Sequence, residues 1–64
     1  MRIDRKKLVL AMMDRDLTQK ELAEKAGVSR ATINFIKSGK SCYEITAKKI
    51  ADALGVKVTE ILED

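Results

Sequence analysis

Residues 17–28, LTQKELAEKAGV, carry a helix start and a helix stop close together. Thr18 followed by Glu21 is the capping-box pattern, in which each side chain accepts a hydrogen bond from a backbone N–H group of the first helical turn. Gly27 supplies the left-handed conformation that ends a helix at low cost. Ser29 is a favourable N-cap residue for a further helix. The stretch therefore predicts a short helix ending near Ala26, a tight turn and the start of another helix.

Helical periodicity without strand alternation extends along the rest of the chain. It predicts a first helix from Asp4 to Arg15 and a third from Ser29 to Ser38, ended by Gly39. Two more helices are expected, one over Thr46 to Leu54 and a short one over Thr59 to Glu63. The 64 residues include no Pro. We therefore expect one all-α domain over residues 1–64 with one small core. Folding of a domain this short buries about 60% of the surface that the unfolded chain exposes.

The chain has one cysteine, Cys42, and no histidine. It therefore offers neither a zinc cage nor a Cys–His nucleophile pair. We expect no metal, no cofactor, no small-molecule ligand and no enzymatic activity, in a protein of the cytoplasm. The apolar stretch from Leu8 to Met13 is too short for a signal peptide, and no segment is long enough to span a membrane.

Positive charge is concentrated in the middle of the chain. The net charge is +3, yet four of the 13 basic residues and none of the 10 acidic ones lie between Lys25 and Tyr43. A local excess of this kind is typical of proteins that bind polyanions. A basic face that is merely solvated gives the same pattern, so this feature needs support from a second one.

Residues 19–38 meet the demands of a helix-turn-helix unit. Ala23 is small at the position where the two helices cross, and Gly27 lies in the turn. Apolar residues stand where the pair of helices must bury itself against its neighbours: Leu22, Val28, Ile33 and Ile36.

The run LTQKELAEKAGVSRATI, residues 17–33, resembles the Cro/C1-type (XRE) family of helix-turn-helix DNA-binding proteins. The runs KIADALGV, residues 49–56, and TEIL, residues 59–62, resemble the fourth and fifth helices of the same family. The resemblance implies a five-helix, lambda-repressor-like all-α domain with a central helix-turn-helix. It also implies double-stranded DNA as partner, with the second helix across the DNA backbone and the third helix in the major groove.

Four residues of the third helix are predicted to read base edges. On a helical wheel, the side opposite the buried Ile33/Ile36 stripe holds Ala31, Asn34, Phe35 and Ser38. Arg30 and Thr32 lie on the flanks. Phe35 lies about 130° from the centre of the stripe. Arg30 suits guanine, Asn34 suits adenine, and Phe35 suits the thymine methyl group. The predicted base-reading set is Arg30, Ala31, Asn34 and Phe35. Two alternatives stay open: Phe35 packs on a neighbouring helix or a dimer partner, and Arg30 contacts only phosphate.

Six residues are predicted to contact phosphates: Gln19, Ser29, Thr32, Lys37, Ser38 and Lys40. The resemblance implies that Gln19, at the start of the second helix, donates a hydrogen bond to a phosphate with help from the helix dipole. It implies a phosphate contact for Lys40 as well. Ser29 and Thr32 are either phosphate contacts or helix caps.

The chain departs from the family pattern at two places. Many relatives pair an Arg of the first helix with a Glu of the third, and these positions here hold Met12 and Lys37. Because both partners are replaced, no buried charge is left unpaired. Met12 is expected to pack against apolar side chains, while Lys37 reaches water or phosphate.

The second departure is the loop from Lys40 to Glu44, which is one residue shorter than usual and lacks the usual Pro. Within it, Cys42 and Tyr43 are expected to cover the core, with a functional role as the alternative.

These features predict a transcriptional regulator that reads a specific DNA sequence, most simply a repressor that occupies an operator. A module of this size is expected to bind a palindromic site as a homodimer, with half-sites about 34 Å apart. The sequence does not decide the pairing surface, and two candidates stay open: the Tyr43 loop, and the last helix with Val58, Ile61 and Leu62. The alternative function is a protein–protein interaction module, such as an antitoxin-like partner, anchored by Phe35.

Overall fold

Four α-helices follow one another in the computed structural model, which describes residues 1–64. They are α1 (Arg5–Asp14), α2 (Gln19–Ala26), α3 (Arg30–Lys37) and α4 (Glu44–Leu54). A single turn of 3₁₀-helix follows at Val58–Glu60. The all-α prediction is confirmed, but the five-helix count is not, because the predicted helix from Thr59 to Glu63 is only this 3₁₀ turn. None of the helices is both long enough and apolar enough to cross a bilayer.

Pairing between the two ends of the chain accounts for the missing fifth helix. Ile3 and Leu62 form an isolated antiparallel bridge, and the backbone N–H of Glu63 donates to the carbonyl of Arg2 at 3.0 Å. Residues that pair in this way are extended and cannot continue a helix. The partner residues are far apart in sequence, so the local pattern of residues 59–63 contains no sign of the pairing.

The predicted helix starts and stops of the central region are present. The Thr18 side chain accepts from the backbone N–H of Glu21 at 3.1 Å, and the Glu21 carboxylate accepts from the backbone N–H of Thr18 at 2.9 Å. Gly27 has φ +73°, in the left-handed region that glycine adopts without strain. Ser29 accepts from the backbone N–H of Thr32 at 3.1 Å. These local interactions fix the ends of α2 and the start of α3.

Helix α4 begins at Glu44 rather than at the predicted Thr46. Its N-cap is Tyr43, whose side chain makes no capping hydrogen bond. Tyrosine is not a typical N-cap residue, so the sequence gives no local signal for this start.

The core lies between α1, α2, α3 and α4 and consists of apolar residues alone. Fourteen residues are buried, and none of them is polar or charged. The largest fully buried side chains are Ile3, Leu8, Leu22, Ile33, Ile36, Ile50, Leu54 and Ile61. Met12 is buried in this cluster as well, which agrees with the apolar packing expected of it.

Two expectations for the surface are wrong. Ile61 is only 1% exposed, so it belongs to the core and is not available to pair with another copy. Tyr43 is 83% exposed and does not cover the core, because it stands at the N-cap of α4 with its side chain in solvent. Its neighbour Cys42 is partly buried against the core, as expected.

Candidate nucleic-acid interface

The turn at Gly27 holds α3 against α2 through small and apolar side chains. Ala23 and Ala26 of α2 are buried, as are Ile33 and Ile36 of α3. Beyond the turn, the backbone N–H of Val28 donates to the carbonyl of Ala23 at 3.0 Å. With one side of α3 fixed in the core, the orientation of its other side is also determined.

The opposite side of α3 is exposed along its whole length. The four residues predicted to read bases, Arg30, Ala31, Asn34 and Phe35, are all on the surface. Phe35 leaves 55% of its surface exposed, in agreement with the helical wheel. The exposed face therefore offers a guanidinium group, a methyl group, an amide and an aromatic ring on one short helix.

Hydroxyl groups at both ends of α3 are used within the helix. The Oγ of Ser29 and the Oγ1 of Thr32 are 2.9 Å apart and share a hydrogen bond. At the other end, the Ser38 hydroxyl donates to the Phe35 carbonyl at 2.6 Å. A serine has a single O–H donor, so the Ser38 donor is engaged in this bond, whereas Ser29 and Thr32 keep one O–H between them for another acceptor.

Gln19, Asn34 and Lys37 form a connected polar network across the two helices. The Gln19 Nε2 group donates to Asn34 Oδ1 at 2.5 Å, and the Lys37 ammonium donates to Gln19 Oε1 at 3.2 Å. Sequence reasoning treated these three side chains as separate DNA contacts. The structure brings a predicted base reader and two predicted phosphate contacts into direct contact with one another.

Basic side chains flank the exposed face of α3. Lys40 follows Gly39, whose φ of +94° directs the chain out of the helix, and its side chain is exposed. Arg2 donates from Nη2 to the Gly39 carbonyl at 3.0 Å and so lies beside the end of α3. Sequence reasoning missed Arg2, because a contact 37 residues away along the chain leaves no local signal.

Two shifted pKa values bear on this region. The backbone N–H of Thr18 and then its hydroxyl hold the pKa of Glu21 below its usual range, so this carboxylate stays ionised at the start of α2. Burial raises the pKa of the Cys42 thiol, which keeps the thiol protonated and weakly nucleophilic. No group of three or more His, Cys, Asp and Glu side chains is arranged to hold a metal ion.

A short helix that exposes amide, guanidinium and aromatic groups, supported by a second helix across a glycine turn, defines a helix-turn-helix protein. The chain belongs to the Cro/C1-type helix-turn-helix family, whose model matches residues 10–61. An uncharacterized HTH-type transcriptional regulator from Methanocaldococcus jannaschii is 49% identical over 49 residues, which cover 72% of this chain and 71% of that protein. These findings support a DNA-binding regulator.

Solved structures with the same fold include parts of larger proteins. A variant of hydroxyethylphosphonate dioxygenase matches all of this chain with a TM-score of 0.88 and 28% identity. Native PhpD with cadmium atoms matches with a TM-score of 0.85 and 28% identity. In both cases the chain corresponds to 14% of the other protein's length. The likeness therefore concerns this helical unit alone.

Proposed function

We propose that this protein is a transcriptional repressor that binds a specific double-stranded DNA sequence and acts by occupying an operator. The observation that carries the proposal is the exposed face of α3, which combines base-reading side chains with a segment free of acidic residues. The major groove accepts an exposed helix face that combines hydrogen-bonding side chains with apolar ones. In this proposal the chain acts as a single domain, residues 1–64, on the DNA of the cytoplasm.

Base reading is assigned to Arg30, Ala31, Asn34 and Phe35. Arg30 offers two parallel N–H donors, which suit the O6 and N7 acceptors of guanine. Phe35 offers an apolar edge for a thymine C5-methyl group, and the small side chain of Ala31 lets the helix approach the bases closely. The exposure of all four side chains supports this assignment.

Phosphate binding is assigned to Gln19, Ser29, Thr32, Lys37, Ser38 and Lys40. Lys40 is the strongest member, because its exposed ammonium has no hydrogen-bond or salt-bridge partner in the protein. Gln19 uses one of its two Nε2 hydrogens on Asn34 and keeps the other for a phosphate oxygen. Ser38 is the weakest member, because a phosphate contact requires its hydroxyl to leave the Phe35 carbonyl. Most of the affinity would come from the release of counterions by the lysines and arginines.

A homodimer on a palindromic operator follows from the small size of the module. Two copies read half-sites about 34 Å apart. The surface proposed for pairing is the Tyr43 loop, which borders an open groove of about 640 Å³ between α3 and the start of α4. Val58 and Leu62 are partly buried and Ile61 is buried, so the last turn offers much less surface for pairing.

Selection of random duplex DNA by the purified protein, followed by sequencing, tests the proposal. We expect an enriched palindrome with a thymine-dependent position. Lys40→Ala should weaken binding to every sequence and reduce the salt slope by about one unit, whereas Phe35→Ala should mainly relax the preference at the thymine. A protein that enriches no motif, and whose weak binding is equally salt-sensitive on all DNA, would contradict sequence-specific repression.

One observation favours a second function, a protein–protein interaction module such as an antitoxin-like partner. Phe35 and Tyr43 are both exposed and both line the groove beside α3. An aromatic pair of this kind is a typical anchor at protein interfaces. If no DNA motif is enriched, the same Phe35→Ala variant should instead abolish binding to a protein partner.

A further inference from the structure

The hydrogen bonds of Gln19 depend on which way its amide is turned. The two ends of a glutamine amide have almost the same shape, so their hydrogen-bond partners decide the orientation. Here the end that faces Lys37 must be the oxygen, because an ammonium group can only donate. The distance of 3.2 Å from Lys37 Nζ to Gln19 Oε1 agrees with such a bond. Lys37 takes part in neither salt bridge of the chain, so it has no carboxylate that competes for this role.

The orientation of Gln19 in turn determines that of Asn34. Once the Gln19 oxygen faces Lys37, its Nε2 group faces Asn34, and Nε2 can only donate. The atom of Asn34 that receives this bond must be the carbonyl oxygen Oδ1, as observed. The Nδ2 group of Asn34 therefore points away from Gln19, and it donates to no other atom of the protein. Asn34 is exposed, so these two N–H donors are available on the outer face of α3.

We infer that Lys37 and Gln19 are specificity-determining residues that turn Asn34 so that it presents donors, not an acceptor, to the DNA. This inference rests on the proposed function and names the base class read at one position. In the major groove guanine presents only the acceptors N7 and O6, and thymine presents the acceptor O4, whereas cytosine presents a donor at N4. Adenine needs an acceptor for its N6 group as well as a donor for N7. Because Oδ1 is turned toward Gln19 and Nδ2 away from it, Asn34 held in this way favours guanine or thymine. It disfavours the two-bond contact with adenine that an unconstrained asparagine makes, because that contact needs Oδ1 and Nδ2 to face the base together.

Replacement of Lys37 by glutamate should reverse the orientation of all three side chains. A carboxylate can only accept, so the Gln19 Nε2 group would face residue 37 and its oxygen would accept from Asn34 Nδ2. Asn34 would then present Oδ1 and select cytosine or adenine. Lys37→Met removes the donor without introducing an acceptor. Gln19 is then free to turn, and the preference of Asn34 between the two base classes should disappear.

The experiment is selection from random duplex DNA with the wild-type protein and the variants Asn34→Ala, Lys37→Glu and Lys37→Met. Asn34→Ala identifies the position of the motif that Asn34 reads. At that position we expect the wild-type protein to favour guanine or thymine over cytosine by about five- to tenfold, as for one good base contact. Lys37→Glu should exchange this preference for cytosine or adenine, and Lys37→Met should reduce it to below about twofold.

Lys40→Glu and Lys40→Met are the charge-matched controls. They remove the same positive charge close to the same helix end, but Lys40 makes no side-chain contact with the network. We expect them to weaken binding to all sequences while the base preference at the Asn34 position stays that of the wild type. A circular dichroism melt of each variant checks that it is folded.

The outcomes distinguish a failure of the proposed DNA-binding function from a failure of the orienting role of Lys37. If the wild-type protein enriches no motif, the proposed function itself fails. If it enriches a motif and Lys37→Met keeps the full preference at the Asn34 position, the orienting role of Lys37 is refuted. A wild-type preference for cytosine or adenine at that position refutes it too. If Lys37→Glu binds DNA too weakly for selection, Lys37→Met still tests the orienting role of Lys37, because the methionine variant loses only one unit of positive charge.

Discussion

Replacement of Gly27 by alanine tests whether the turn of the helix-turn-helix depends on a left-handed backbone. Gly27 has φ +73°, and a Cβ atom built on it meets nothing within 4 Å. The cost of Gly27→Ala is therefore conformational and not steric. A left-handed conformation costs an L-residue about 1–2 kcal/mol, and the lower entropy of the unfolded alanine chain returns about 0.4–1 kcal/mol. We expect a net loss of about 1 kcal/mol in the free energy of unfolding.

Urea and thermal unfolding followed by circular dichroism measure this loss. For a domain of this size, 1 kcal/mol corresponds to a decrease in Tm of about 4–8 °C. The matched variant is Gly27→Asn, because asparagine tolerates the left-handed region better than alanine, and it should lose less stability. Because the added methyl group touches nothing, DNA affinity measured well below Tm should be unchanged.

A second position provides an internal comparison. Gly55 has φ +71°, but there a Cβ atom would lie 3.1 Å from Arg15 Nη2. Gly55→Ala carries the same backbone strain and must also displace a guanidinium group that donates to the Gly55 carbonyl at 3.4 Å. It should cost at least as much as Gly27→Ala. Equal stability of Gly27→Ala and the wild type, or equal losses for Gly27→Ala and Gly27→Asn, would refute the reasoning from backbone strain.

Three further predictions concern stability and reactivity. Thr18→Ala removes the capping box and should cost about 1 kcal/mol in urea unfolding; a cost near zero would mean that the observed cap contributes nothing. The folded-state pKa of Glu21 is lowered, first by the bond from the Thr18 backbone N–H. Its contribution to stability is therefore present above the ordinary unfolded pKa of a glutamate and is lost as pH falls through the folded value, so Glu21→Gln should flatten the acid side of the stability curve. The thiol of Cys42, whose pKa burial raises, should react with iodoacetamide at pH 8 more slowly than in urea-unfolded protein, and equal rates would contradict its burial.

Most of the fold could be predicted because its signals are local. The capping box at Thr18, the left-handed Gly27 and the N-cap Ser29 each act within four residues, so the sequence contains both partners of every interaction. The ends of the chain are different. Whether residues 59–63 continue as a helix depends on Ile3, which pairs with Leu62 and lies far away in the sequence. The helix predicted over residues 59–63 is wrong, because that pairing takes precedence over the local helical pattern.

The candidate site was predictable in its positions but not in its connections. Helical geometry identified which side of α3 is exposed, because the Ile33/Ile36 stripe fixes the buried side. The contacts of Gln19 with Asn34 and Lys37 bridge 15 and 18 residues and depend on how closely α2 and α3 approach. Side-chain partners of that kind are chosen by packing, and the sequence gives no rule for the choice.

The absence of buried polar residues has a consequence for how this protein can change its target. Stability comes from the apolar core and the local caps, whereas the Asn34 amide, the proposed base reader, is bonded by Gln19, which Lys37 bonds in turn. Surface substitutions away from caps and core usually change stability by less than about 0.5 kcal/mol. Changes at Gln19 or Lys37 should therefore alter which base is read while leaving the fold almost as stable as before. Under the proposed function, specificity and stability depend on different residues, so a change of DNA target needs no compensating change in the core.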